Sequence, residues 1–250
     1  MSITVQISLA DFVDADHERR VRELLPELHP MEQARCRVFR HARRRQVWLA
    51  GRELLLAALA RQLPRVDAAA LRSDERGALR YAGSSVCVSL SHSGNLLVAA
   101  LAPVPVGVDV ELPRPRACLR QAARLFTRAE ARYVHARAPA AQLSAFYTFW
   151  TLKEAYAKAA DLSLWEVLQG VEFDLDAQCV HASPPADWRC VHAHTAHGWH
   201  VAVAVQTADN AVRIECARRS AAGEWLAESL LEPTSLCSAQ STPCVLAQVG

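Results

Sequence analysis

The strongest constraint on how this chain folds is the alternation Val104, Val106, Val108, Val110, with Asp109 and Glu111 set into it. β-Branched residues at every second position predict a strand, and a period of two places Asp109 and Glu111 on one face. Pro113 follows at once, so the strand ends beside the two acids. A second charged segment belongs to a different kind of element. Trp150-Thr-Leu-Lys153-Glu154-Ala-Tyr-Ala-Lys158 reads as a helix on which Glu154 and Lys158 stand one turn apart. Where the two faces meet, three carboxylates and an ammonium converge, a set suited to holding a hard divalent cation beside a polyphosphate.

Each half of this pattern also has a plainer reading. Two acids at a strand end are common, and a Glu–Lys pair one turn apart contributes only a few tenths of a kcal/mol on a solvated helix. The setting argues for more. Phe146-Tyr-Thr-Phe-Trp150 is aromatic, which partly buries the charges that follow it and so demands a reason for them. Ser91-His92-Ser93-Gly94 places a histidine at a hairpin turn, where hydroxyls and backbone N–H groups suit a phosphate. The run Arg35-Cys-Arg-Val-Phe-Arg-His-Ala-Arg-Arg-Arg45, continued by Arg52, is basic without an acid. Few aromatics lie nearby for stacking on bases, so a phosphate clamp or a solvated face fits better than nucleic acid.

The remainder predicts an α/β (α+β) chain. Residues 3–9 alternate as a strand, residues 16–25 look helical, and Met31 to about Arg61 reads as one or two helices. Val86–Ala102 reads as strand, turn, strand about Gly94-Asn95. Thr127-Arg-Ala-Glu130 is a capping box opening a helix, Gln142 to about Ala160 is another, and Val171–Leu175 returns to strand. Cys87–Ala102 lies over Cys190–Val205 without gaps, as hairpins of two related halves would. The expected division is 1–112 and 113–217, joined at Leu112-Pro-Arg-Pro-Arg116, then a short helix at Glu224–Leu231 and a flexible tail. His181, His192, His194, His197 and His200 lack zinc-site spacing, and His192 and His194 are expected on a polar strand face.

At 250 residues, 51% hydrophobic and 22% charged, the chain has ample core for one large or two small domains. The net charge of +2 is near neutral and by itself says little about partners. No apolar run approaches the roughly 20 residues of a membrane span, and the N-terminus lacks a signal-peptide pattern. Eight scattered cysteines suit reduced thiols, so a cytoplasmic protein is expected.

Taken in order, SLSHSG, VGVDVE, LFTRAE, FYTFWTLKEAYAKA, LSL and VEFDL resemble the 4′-phosphopantetheinyl transferase superfamily, in its surfactin-synthetase-activating (Sfp) type. The resemblance covers roughly residues 20–205 and implies two similar α/β subdomains related by a pseudo-twofold, with the active site at their interface. The implied reaction is Mg²⁺-dependent (or Mn²⁺-dependent) transfer of phosphopantetheine from coenzyme A to a serine of an apo acyl or peptidyl carrier protein, releasing 3′,5′-ADP. By motif, Asp109, Glu111 and Glu154 would hold the metal, with Asp109, Glu154 and Lys158 catalytic and Glu154 the candidate base. Arg45, Arg52, Ser91, His92, Lys153 and Lys158 would bind coenzyme A. A monomer with an internal pseudo-dimer is implied. The family's Gly-Lys-Pro is replaced by Glu75-Arg-Gly77-Ala-Leu-Arg80, leaving Arg76 or Arg80 to supply the missing charge. The competing readings are another metal-dependent phosphoryl-transfer enzyme, such as a nuclease or phosphatase, and a non-catalytic carrier-binding relative.

Overall fold

Apolar alternation along several strands builds two sheets that pack face to face, each with a helix on its outer side. The computed structural model describes residues 2–12, 22–114, 118–209, 211–238 and 245–248. The first sheet runs β12 (Trp225–Ala227), β11 (Ala211–Arg219), β1 (Ser2–Asp11), β5 (Leu96–Ala102), β4 (Cys87–Ser93), with β14 (Val245–Gln248) also paired to β11. The second runs β6 (Val106–Glu111), β10 (His200–Gln206), β9 (Trp188–His194), β13 (Leu231–Ser238), β8 (Cys179–Ala182), β7 (Val171–Asp174). A short ribbon pairs β2 (Leu71–Ser73) with β3 (Leu79–Tyr81).

Ile3, Val5, Ile7 and Leu9 of β1 meet Val106, Val108 and Val110 of β6 and Val201, Val203 and Val205 of β10 in one buried cluster between the sheets. Helix α2 (Ala42–Leu59), preceded by α1 (Pro30–Arg37), covers the outer face of the first sheet through Val47, Leu54 and Leu55. On the outer face of the second sheet, α5 (Pro139–Ala160) buries Phe149, Leu152 and Ala155 against Ala202 and Ala204. It is flanked by α3 (Cys118–Leu125), α4 (Arg128–Ala136) and α6 (Leu164–Gly170). The result is α+β in four layers, helix–sheet–sheet–helix.

The two sheets exchange strands. β6 follows the β4–β5 hairpin in sequence yet pairs with β10 of the second sheet, whereas β11 follows the β9–β10 hairpin yet pairs with β1 of the first. The two hairpins differ at their tips, since two residues link β4 to β5 and five link β9 to β10.

The C-terminal expectation needs correction. No helix forms at Glu224–Leu231; Trp225–Ala227 is a strand, and Leu231–Ser238 is another that buries Leu236 and Cys237. Mixed Ser, Thr and Pro content hides β13, but β9 and β8 pair with it on either side. The helix expected over 16–25 falls largely outside the described residues, with a 3₁₀ turn seen at Leu25–Glu27, and the link expected at 112–116 is described only as far as Arg114. Among the described residues, no helix is long and apolar enough to cross a membrane.

Candidate active site

β6 and β4 are edge strands of different sheets, and a row of serines joins them. Ser89, Ser91 and Ser93 repeat with period two on one face of β4, and their Oγ atoms accept the backbone N–H groups of Val108, Val110 and Leu112 at 3.0, 3.4 and 3.3 Å. The strand edge is thereby satisfied without a neighbouring strand. Two of the hydroxyls also donate onward, Ser91 to Asp109 Oδ1 at 2.6 Å and Ser93 to Glu111 Oε2 at 2.8 Å. The alternation that buries Val106, Val108 and Val110 between the sheets thus presents Gly107, Asp109 and Glu111 to α5.

Helix α5 can approach because residue 107 is glycine. A Cβ there would overlap the carbonyl oxygen of Ala155 and lie 2.6 Å from Ala159 N. At this distance Lys158 Nζ donates to Asp109 Oδ1 at 2.8 Å and to Val108 O at 3.0 Å. Asp109 Oδ2 is buried and has no hydrogen-bond partner. Burial pushes the Glu154 carboxyl up to about 7; Lys158 pulls it down, and Asp109 and Glu111 push it further up. His92 is exposed on β4, and loss of solvent and then the Lys158 ammonium hold its imidazole below the usual range, with Asp109 opposing. Asp109, Glu111, Glu154, Lys158 and His92 therefore share one electrostatic neighbourhood.

Beside them opens a cavity of ≈ 440 Å³ lined by Lys158, Arg80, Ser84, Ser85 and Gln206, among others. Arg80 reaches Asp161 Oδ2 at 3.2 Å and Asp74 Oδ2 at 3.3 Å, and Arg76 donates to Asp161 O at 3.0 Å. Both arginines from the Glu75–Arg80 stretch thus gather at the C-terminal end of α5, where Asp161 closes the helix in a left-handed conformation.

Three expected ligand contacts are instead structural. Lys153 is fully buried, donating to Val167 O, Leu168 O and Val171 O and pairing with Glu130 at 2.9 Å, so it ties α5 to the end of α6. Burial pushes the Lys153 ammonium down and the Glu130 carboxyl up, each opposed by the partner's charge. Glu130 keeps its capping-box bond to Thr127 N and also accepts Phe173 N. Arg52 is buried under Trp48, its guanidinium 3.8 Å from the ring centroid, and donates to Glu32 and Ser73. Ser91 is buried and its hydroxyl is occupied by Asp109 and Val110.

The basic run is divided rather than forming one patch. Arg52 enters the core, Arg43 bonds Asn95 at the hairpin tip at 2.6 Å, and Arg45 is exposed. The sequence reading missed the anchoring by Ser89 and Ser93 and the close approach at Gly107. The period-two serine row in SLSHS was the available signal for the first.

Part of the chain that builds this site is similar to known proteins. A family model described as "4'-phosphopantetheinyl transferase superfamily" matches residues 105–204, which contain β6, α5, β9 and most of β10. The chain is 38% identical over 128 residues to the 4'-phosphopantetheinyl transferase AcpT of Salmonella typhi, covering 50% of this chain and 64% of that protein. It is 31% identical over 150 residues to HetI of Nostoc sp., covering 57% and 63%. It is 28% identical over 139 residues to Sfp of Bacillus subtilis, covering 52% and 59%. Each match spans less than two thirds of the relative's own length.

Proposed function

We propose that this chain, whose residues 105–204 match the model of the 4′-phosphopantetheinyl transferase superfamily, transfers phosphopantetheine from coenzyme A to a serine of an acyl or peptidyl carrier protein and releases 3′,5′-ADP. The observation that carries the proposal is Asp109. One of its oxygens is held by Ser91 and Lys158, while the other is buried without a partner, next to a Glu154 whose ionisation is opposed by burial and by two more acids. Such a site is short of one cation.

The donor set fits a hard divalent ion, Mg²⁺ or Mn²⁺, and Asp109, Glu111 and Glu154 would hold it. When bound, the ion would supply charge neutralisation at the pyrophosphate of coenzyme A. The chain's own groups account for the rest. Lys158, on the wall of the cavity, places a positive charge where the pyrophosphate would enter, and Arg80 stands on the same wall as the replacement for the missing family lysine. His92, exposed beside them, is the candidate contact for the adenosine 3′-phosphate. The incoming serine Oγ forms a bond to the phosphorus nearer the pantetheine, and the bond from that phosphorus to the ADP oxygen breaks. Glu154, on the face of α5 that meets Asp109 and Glu111, is the candidate to take the serine proton.

The two hairpin-bearing halves, each lending a strand to the other's sheet, support a pseudo-twofold monomer, and the reading fits a cytoplasmic enzyme. The decisive experiment incubates the protein with coenzyme A, Mg²⁺ and an apo carrier protein. Transfer is seen as a carrier mass gain of about 340 Da, the phosphopantetheine unit joined through a phosphodiester of the kind metal-assisted transfer makes. Asp109→Ala removes the gain while leaving the circular dichroism of the fold intact. Absence of a gain with several carriers leaves a non-catalytic relative, and hydrolysis of phosphoesters in its place identifies a different phosphoryl-transfer enzyme.

A further inference from the structure

Outside the carboxylate site, the described residues contain a second group of ligating side chains. His192, His194 and His200 each offer one nitrogen, and these atoms all lie within 4.8 Å of one another. The cluster follows from the sheet. His192 and His194 are two residues apart on β9, and His200 of β10 is the direct cross-strand partner of His194, so all three project from one face. The strand face expected to be polar at His192 and His194 is instead largely covered: His192 and its neighbour His200 are buried, at 3% and 2% exposure, beneath the N-terminal half of α5.

The arrangement is costly for three plain core side chains. The rings stand 4.4 to 5.0 Å apart centroid to centroid, and His192 Nε2 lies 2.9 Å from His200 Nδ1. His194 Nδ1 is buried and has no hydrogen-bond partner. A carboxylate lies close by on an exposed side chain, with Glu232 Oε2 at 3.9 Å from His194 Nδ1. Glu232 adopts φ 50°, a conformation that a residue with a side chain rarely takes, at an irregularity in the pairing of β13 with β9 between Leu231 and Thr234. Backbone strain at a position that brings an acid to an orphaned imidazole needs a compensating interaction.

We propose that His192, His194 and His200 form a binding site for a divalent transition ion of the Zn²⁺ class, with Glu232 as a fourth ligand. Three imidazoles from two adjacent strands are a donor set that zinc takes readily, and nitrogen ligands select it over Mg²⁺, which prefers oxygen. Ser144 Oγ, 3.5 Å from His200 Nε2, can accept a hydrogen bond from an Nε2–H, which leaves the His200 Nδ1 lone pair directed into the cluster. This assignment stands independently of the transferase reading, because it uses none of Asp109, Glu111, Glu154 or Lys158.

The test uses the full chain with ZnCl₂ as probe, in excess Mg²⁺, followed by dialysis and metal analysis. One zinc per chain is expected to remain, and zinc-edge X-ray absorption should show a histidine-dominated nitrogen and oxygen shell. His194→Ala, at a partly exposed position, should weaken zinc binding at least about tenfold, the loss that even an outer partner of a metal site produces. Glu232→Gln, at an exposed position, should weaken it less, and Asp109→Ala should leave it unchanged. Retention of no zinc by the wild-type chain overturns the proposal. So does unchanged zinc affinity in His194→Ala, a sulfur-dominated shell, or loss of zinc in Asp109→Ala, which would assign the ion to the carboxylates.

Discussion

Among individual residues, burial decides which charges act on ligands and which hold the fold. Lys153 and Lys158 lie five positions apart on one helix, yet Lys153 is fully buried against Glu130 while Lys158 is partly exposed at Asp109. Lys153→Met leaves Glu130 buried and unpaired, so a loss of about 3–5 kcal/mol is expected in denaturant unfolding; a loss under 1 kcal/mol would contradict the buried pair. Glu154 makes a pH prediction. Its folded pKa of about 7 lies above the ordinary 4.5, so without a cation the ionised form is disfavoured and stability declines as pH rises across that window. A cation binds the ionised form, so Mg²⁺ affinity should climb as pH rises towards about 7 and level off above it. Calorimetric titrations on either side of neutrality check this, and a flat profile would separate Glu154 from the metal. The structure brings Asp109, Glu111, Glu154 and Lys158 together because each sits in a pattern whose period fixes its face. Arg52, Ser91 and Lys153 were misplaced because their partners Glu32, Asp109 and Glu130 lie 18 to 23 residues away, a contact no local pattern encodes.

For whole elements, the site depends on how closely α5 lies on β6. Gly107 sets that distance, since a side chain there meets the helix backbone rather than a movable side chain. Gly107→Ala must push α5 outward and draw Lys158 away from Asp109. Overpacking of this kind costs typically about 1–3 kcal/mol, so the variant should remain folded yet lose most of the proposed transfer activity; activity equal to that of the unsubstituted chain would show that the spacing does not matter. Legibility divides along the same line. The Val104–Val110 alternation and the capping box at Thr127 are local, and both appear where expected as β6 and α4. The strands β11 and β13 were not recognised, although Val212 and Ile214 alternate in the first. Their identity comes from the strands beside them: β1 for β11, and β9 with β8 for β13.

Across the whole molecule, four layers share two cores on the outer faces of the sheets and one between them, and the candidate site lies where β4, β6 and α5 come together. The serine row is what lets two separate sheet edges act as one surface, so the acids on β6 are aligned by a strand of the opposite sheet. The exchange of β6 and β11 carries a consequence for how the chain could be divided. Cut near residue 113, the N-terminal piece would keep β6 without its partner β10, and the C-terminal piece would keep β11 without β1. Each fragment would carry a donor strand and lack an acceptor edge's filling, leaving open edges prone to association. The pieces should therefore precipitate or self-associate when produced alone and recover a folded, active complex when co-produced. Soluble monomeric fragments on size-exclusion chromatography would refute this. The protein behaves, on this account, as two interlocked hands, neither of which can close unless the other is present.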